Sequence, residues 1–342
     1  MEKNKRILIF NVNWIGDVLF STAVLRNIRR NYPGSFIACI IPGRCYPVLK
    51  GNPHLDEVII FDEHDRHKNV FSKFSFVQLL KRKRFDTAIL LHGSLTRALI
   101  CKLADIPEII GYNTKKRGWL LSKKIPLPAK DALHRIDFYL NIIEKAGLRV
   151  EDRYLEFFIS EDDEKFTIEF LDKQGIARNE TIIGINTGGN WLPKRWPKEY
   201  WMKLIQLIQN ELGLKVVISG GHQDLTLARK ISEQLQDKPL ITCGLLNLKQ
   251  SAALLKRLDL FISGDSGPLH IANTVGTKKI IALFGPTHSS ITGPFPAKNV
   301  TILQKDVGCK VPCYEVNCED NRCMKAITPE EVLGQIKMSL NE

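Results

Sequence analysis

Long apolar runs are missing from this 342-residue chain. None approaches the roughly 18 residues of a bilayer-spanning helix, which excludes a helical membrane span. A signal peptide is missing as well: Asn11, Asn13 and Asp17 break up the apolar stretch near the start, and no small-residue cleavage site follows. The expected location is therefore cytoplasmic, with residues 7–10 read as a first buried strand. There is no Gly-x-Gly-x-x-Gly fingerprint, which disfavours a dinucleotide-dependent dehydrogenase. Paired Cys-x2-Cys knuckles are absent, and so are short-period repeats and low-complexity segments. No aromatic residues interleave with the basic ones and no recognition helix is visible, so a nucleic-acid partner is not expected.

What is present is an ordinary globular balance, 44% hydrophobic and 25% charged, at a length suited to two domains of about 150 residues. The net charge of +12 is lopsided: residues 1–156 hold 27 Lys+Arg against 16 Asp+Glu, whereas the remainder holds 22 against 21. The densest runs are Lys81-Arg82-Lys83-Arg84, Lys115-Lys116-Arg117 and Lys123-Lys124. A basic half favours an anionic partner such as a phosphorylated glycolipid or a membrane surface, although each run alone also fits a solvated helix end or loop.

The first half alternates strand and helix patterns: strands over 6–12, 36–41, 57–61 and 86–91, helices over 18–31, 74–83 and 132–146. A strand over 154–159 and a linker over 159–180 separate it from a second half with strands over 181–186, 215–219, 258–263 and 279–284. A final helix over 328–341 starts at Thr328-Pro329-Glu330-Glu331, a capping residue followed by proline and two acids. The expectation is an α/β protein with two doubly wound, Rossmann-like domains, 1–158 and 181–342, and a ligand cleft at the carboxyl ends of their strands.

Four strand-to-helix turns carry candidate chemistry. In Phe261-Ile-Ser-Gly-Asp-Ser-Gly-Pro-Leu-His270, Gly264 and Gly267 suit close backbone approach, and the helix beginning near Pro268 aims its positive end at the same point. This is a cradle for a nucleotide diphosphate, with Asp265, Ser266, Gly267 and His270 as its polar members. In Thr187-Gly-Gly-Asn190-Trp-Leu-Pro-Lys194-Arg-Trp-Pro197, Lys194 can neutralise phosphate charge and Trp196 anchors the following helix. Gly220 and Gly221 in Ser219-Gly-Gly-His222-Gln-Asp224 suit a nucleoside, and 244–248 suits the edge of its base. In Asn13-Trp14-Ile15-Gly16-Asp17, Asp17 is either a general base or a helix N-cap. Cys309-x3-Cys313-x4-Cys318-x4-Cys323 leaves structural zinc, reduced thiols and local disulfides open.

Together these motifs resemble the ADP-heptose:lipopolysaccharide heptosyltransferase family, its heptosyltransferase II branch above all. The resemblance runs over nearly the whole chain. It rests on Trp14-Ile-Gly-Asp17, Cys45-Tyr-Pro-Val-Leu49, Ser94-Leu-Thr-Arg97-Ala-Leu99, Ile106-Pro-Glu-Ile-Ile-Gly-Tyr112, Lys194-Arg-Trp-Pro197, Asp265-Ser-Gly-Pro-Leu-His-Ile-Ala272 and Phe284-Gly-Pro-Thr287. It implies a GT-B architecture whose last helix crosses back to the N-terminal domain, and an inverting transfer of heptose to a lipopolysaccharide inner-core heptose without metal or other cofactor. Asp17 is then the base. Lys194, Asn190, Gly220, Gly221, Asp265, Ser266, Gly267 and His270 hold the donor, and Asn13, Trp14, Ser94, Arg97, Lys116 and Arg117 face a lipid-linked, anionic acceptor at the inner membrane surface. Two departures stand out: His222-Gln223 replaces the carboxylate that often follows the glycine pair, and His92-Gly93 replaces Pro-Asn. The alternatives are a transferase of the same family with another nucleotide sugar or acceptor, and a nucleotide-sugar epimerase.

Overall fold

Near-continuous β-branched and apolar runs dictate the architecture, because a strand covered on both faces carries no polar alternation. Ile7, Leu8, Ile9 and Phe10 are each at most 1% exposed, and so are Phe261 and Ile262. The computed structural model describes residues 4–114 and 116–341. It divides into two compact units, Met1–Phe158 and Ile159–Glu342.

In the first unit β1 (Arg6–Phe10), β2 (Phe36–Ile41), β3 (Glu57–Ile60), β4 (Thr87–Leu90), β5 (Glu108–Tyr112) and β6 (Lys123–Ile125) form one sheet in the order β3-β2-β1-β4-β5-β6. Every pairing in it is parallel. Its helices are α1 (Ile15–Phe20), α2 (Thr22–Asn31), α3 (Tyr46–Leu49), α4 (Val70–Lys83), α5 (Leu95–Leu103) and α6 (Arg135–Lys145). The expected strand over 154–159 is not one. That region joins no sheet and is tied by side chains: Arg26 pairs with Asp152 and Glu156, and Glu156 N–H donates to Thr22 Oγ1 at 3.0 Å.

The second unit repeats the order. β7 (Ile182–Asn186), β8 (Lys215–Ile218), β9 (Leu240–Ile241), β10 (Leu260–Gly264), β11 (Lys279–Phe284) and β12 (Val300–Gln304) lie as β12-β11-β10-β7-β8-β9, again all parallel. Its helices are α7 (Glu161–Lys173), α8 (Lys198–Leu212), α9 (Leu225–Ser232), α10 (Leu248–Arg257), α11 (Gly267–Val275), α12 (Ser289–Thr292), α13 (Arg322–Lys325) and α14 (Pro329–Asn341). On α8 the spacing of Trp201, Leu204, Ile205 and Ile208 builds one apolar stripe, fully buried against Ile183, Ile185, Val216 and Ile218. Each such side chain contributes roughly 1.5–3 kcal/mol of burial.

Within the 159–180 linker region a Ser160/Asp163 capping box starts α7, which packs on α10 through Thr167 Oγ1 to Gln250 O (3.2 Å) and Lys256 to Glu164 (2.7 Å). The last helix packs within the second unit: Val332, Leu333 and Ile336 sit in its core, and Lys337 pairs with Glu211 of α8 at 2.6 Å.

Candidate active site

In both sheets the chain leaves two adjacent central strands in opposite directions, β1 and β4 in one, β7 and β10 in the other. Such a switch point opens a crevice at the carboxyl ends of the strands. Asn13, Trp14 and Asp17 follow β1, Ser94 follows β4, Asn190 and Lys194 follow β7, and Asp265, Ser266, Gly267 and His270 follow β10, whereas Gly220 and Gly221 follow β8 and Lys116 and Arg117 follow β5.

In the first unit, α1 follows β1 after a short loop with Trp14 as its N-cap, so Asp17 is not the cap but lies in the helix's first turn. Its Oδ1 accepts a 2.8 Å hydrogen bond from Tyr139 Oη, which α6 supplies from the core. Burial, and then the neighbouring Asp17, push the Tyr139 phenol well above its ordinary range, so it stays a donor. That orients the carboxylate. Trp14 is 56% exposed, with the Arg44 guanidinium 4.9 Å from its ring centroid. Arg97, only 2% exposed, donates to Asn11 O and Asn13 Oδ1, joining the loop after β1 to α5. Arg117 is 1% exposed and donates to Tyr112 O (3.1 and 2.9 Å) and His92 O.

Expected as acceptor contacts, Arg97 and Arg117 spend donors inside the first unit, Arg97 on the loop after β1 and Arg117 on the carbonyls of Tyr112 and His92, because a buried guanidinium must find acceptors. Desolvation lowers both to about 10. Burial, then the two arginines, lower His92 to about 4, which leaves its Nδ1 to accept from Ser94 N–H at 3.1 Å. Ser94 caps α5 by position but makes no side-chain capping bond. Lys116 is exposed, and Lys115 lies outside the described residues.

In the second unit the organising group is Asp265, 7% exposed. Its Oδ2 receives Lys194 Nζ at 2.7 Å and Thr292 Oγ1 at 3.1 Å, and His270 Nε2 lies 3.5 Å from Oδ1. Burial alone would raise this carboxyl, but His270 and Lys194 outweigh it and hold the group well below the usual carboxylate range. Lys194 is thereby fixed beside the start of α11. There Ser266 stands at the N-cap without a side-chain cap bond, its hydroxyl turned instead to Ser263 Oγ at 2.9 Å. A helix N-terminus without a side-chain cap next to an immobilised ammonium is a site for an anion. Two further hydroxyls, Thr187 Oγ1 after β7 and Thr287 Oγ1 after β11, are buried without a protein partner. Buried polar atoms are rarely left so, and both lie on loops at this edge.

The glycine pairs serve a carboxylate that the sequence pattern did not place. Asp224, 7% exposed, accepts from Gly221 N–H at 2.9 Å. A Cβ on Gly188 would lie 2.3 Å from its Oδ1, and one on Gly220 would lie 2.7 Å from its Oδ2. Asp224 thus fills the space between the loops after β7 and β8, two residues beyond His222, and desolvation raises its pKa. Arg195 Nε to Gly189 O (2.8 Å) and Trp196 Nε1 to Ile327 O (2.9 Å) pin the Lys194 loop, as expected of Trp196, whereas Asn190 is exposed on it.

Cys309, Cys313, Cys318 and Cys323 are free thiols lining one cavity of about 40 Å³ beside Pro193 and Gly285. Among the described residues no three metal-binding side chains are drawn together around a common point. A groove of about 580 Å³ between 213–216 and 237–240 lies at the opposite, amino-terminal edge of the second sheet and contains none of the residues above.

The family model for glycosyltransferase family 9 (heptosyltransferase) matches residues 73–322. Lipopolysaccharide heptosyltransferase 2 of Salmonella typhimurium is 25% identical over 98% of this chain and 99% of its own length. A family 9 glycosyl transferase from Veillonella parvula superposes with a TM-score of 0.88 at 27% identity, covering 99% of this chain and 98% of its own. ADP-heptose lps heptosyltransferase II of E. coli superposes with a TM-score of 0.81 at 23% identity, covering 98% of both chains, which supports the GT-B fold. With two Rossmann-like units, an anion cradle in one, a tyrosine-held carboxylate in the other and a family match across most of its length, the chain belongs to glycosyltransferase family 9, the heptosyltransferases.

Proposed function

We propose that the enzyme transfers heptose from ADP-heptose to a heptose of the lipopolysaccharide inner core, with inversion at the transferred carbon. Asp17 takes the proton of the acceptor hydroxyl, with Tyr139 holding one carboxylate oxygen and leaving the other for the substrate. The acceptor oxygen bonds to the sugar's anomeric carbon as the bond to the diphosphate breaks, and ADP leaves with the electron pair. Lys194 and the first N–H groups of α11 meet the charge that develops on it. This scheme requires no cofactor. The acceptor is lipid-linked and anionic and is met at the cytoplasmic face of a membrane, a reading that the basic first half supports.

The observation that carries the donor reading is the Lys194–Asp265–His270 cluster at the start of α11. Family membership favours transfer over epimerisation, and the relatives' names favour heptose. The test offers ADP-heptose, UDP-sugars and GDP-sugars in turn with a core acceptor and weighs the product by mass spectrometry. Product from ADP-heptose alone is expected. No product from ADP-heptose, with turnover of another nucleotide sugar, would replace heptose with that sugar.

A further inference from the structure

Eighteen large apolar residues are exposed among the described ones, and nine of them fall within residues 70–130. The same stretch holds 13 Lys+Arg against 3 Asp+Glu, nearly the whole charge excess of the chain. Solvent-facing apolar groups are unremarkable singly but informative when they cluster. Here they do. On α5, Leu95, Leu99 and Leu103 recur every four residues, 42%, 40% and 53% exposed, opposite the buried Arg97, Ala98 and Cys101. On α4, Phe71 and Phe74 are 85% and 61% exposed in the first turns.

The two helices pack together, and the short turn Gly118–Leu120, bearing Trp119 at 74% exposure, packs on α5. Lys81 at the end of α4 pairs with Asp105 just past α5 at 2.5 Å, so the helices run side by side in the same direction. Each follows a strand of the parallel sheet, so both N-termini lie at the carboxyl edge, where Asp17 and Ser94 sit.

From this juxtaposition we propose that the α4–α5 face, with Trp119, docks on an anionic lipid bilayer. Its aromatic and leucine side chains enter the headgroup boundary, and Lys73, Arg82, Arg84, Lys102 and Lys116 meet lipid phosphates. An apolar stripe bordered by lysine and arginine is the composition of an interfacial surface, and charge complementarity favours a negative bilayer over another copy of a basic unit. Docking there brings the acceptor edge of the unit to the membrane. That consequence rests on the functional reading, whereas the docking itself does not.

The test is flotation of the full chain with vesicles of phosphatidylethanolamine and phosphatidylglycerol, and with vesicles of phosphatidylcholine alone. The expected result is binding to the anionic vesicles, weakened by salt, with little on the neutral ones. Phe71→Ser with Phe74→Ser, and separately Leu99→Gln with Leu103→Gln, are expected to reduce vesicle-bound protein on the order of tenfold. All four side chains are exposed, so thermal unfolding of the variants should match the parent. Transfer to a water-soluble, deacylated acceptor is measured alongside and should be unchanged in both variants. Unaltered flotation of the variants would overturn the proposal, as would loss of concentration-dependent self-association in its place, which would make the face an interface between copies. Absence of transfer by the parent would overturn the functional reading and leave docking to be decided by flotation alone.

Discussion

Replacing Asp265 by asparagine keeps the shape of the side chain and removes one buried charge. In the wild type that charge is surrounded by Lys194 Nζ at 2.7 Å, Thr292 Oγ1 at 3.1 Å and His270 Nε2 at 3.5 Å. Stripping one partner from a buried ion pair costs about 3–5 kcal/mol, because the other charge is left uncompensated. The Lys194 side chain keeps 19% exposure, so water recovers part of the loss and about 2–3 kcal/mol is expected. The pH dependence has a definite sign. Folding depresses the Asp265 pKa, so its contribution is complete above the unfolded value near ~3.9 and is lost as pH falls toward the folded one. The stability gap between wild type and Asp265→Asn should therefore be flat from neutral pH down to about 4 and close below it. Guanidinium unfolding followed by the fluorescence of Trp196 and Trp201, both buried in this unit, measures the gap. Equal midpoints at neutral pH, or a gap that widens on acidification, would refute the reasoning.

Gly188→Ala should cost about 1–3 kcal/mol, since its Cβ would lie 2.3 Å from Asp224 Oδ1. Adding Asp224→Ala should restore most of that in chemical denaturation, and no restoration would mean the clash is elsewhere. Trp196→Ala removes a ring stacked edge-on at 4.8 Å from Trp201 and the bond to Ile327 O, a loss of about 3–5 kcal/mol by the same measurement. In a thiol-reagent titration of the native protein at mildly alkaline pH, exposed Cys309 should react quickly. Cys39, Cys101 and Cys243, which burial pushes up to about 12, should wait for denaturant, and rapid native reaction of Cys39 would contradict that burial.

Central strands were legible in the sequence because burial on both faces leaves an unbroken apolar signature, as in β1 and β10. Edge and outer strands were not. β6 is Lys-Lys-Ile with two exposed lysines and reads as a charge run, and β9 is two residues long. Asp17, Lys194 and Asp265 were legible because each follows a strand end through a turn that local sequence describes. Their partners were not: Tyr139 reaches Asp17 from 122 residues away, and Thr292 reaches Asp265 from a separate short helix. Arg97 and Arg117 show the converse, since a pattern that marks a cation does not say which acceptors its donors meet: Arg97 donates to the loop after β1 and Arg117 to Tyr112 O.

The most direct test of Asp17 as base and the α11 cradle as leaving-group site is a paired measurement on Asp17→Asn. Calorimetric titration with ADP reads the cradle, and transfer from ADP-heptose to the core acceptor reads the base. Unchanged ADP affinity with transfer reduced at least about a hundredfold is the predicted result. Near-normal transfer by Asp17→Asn would contradict it.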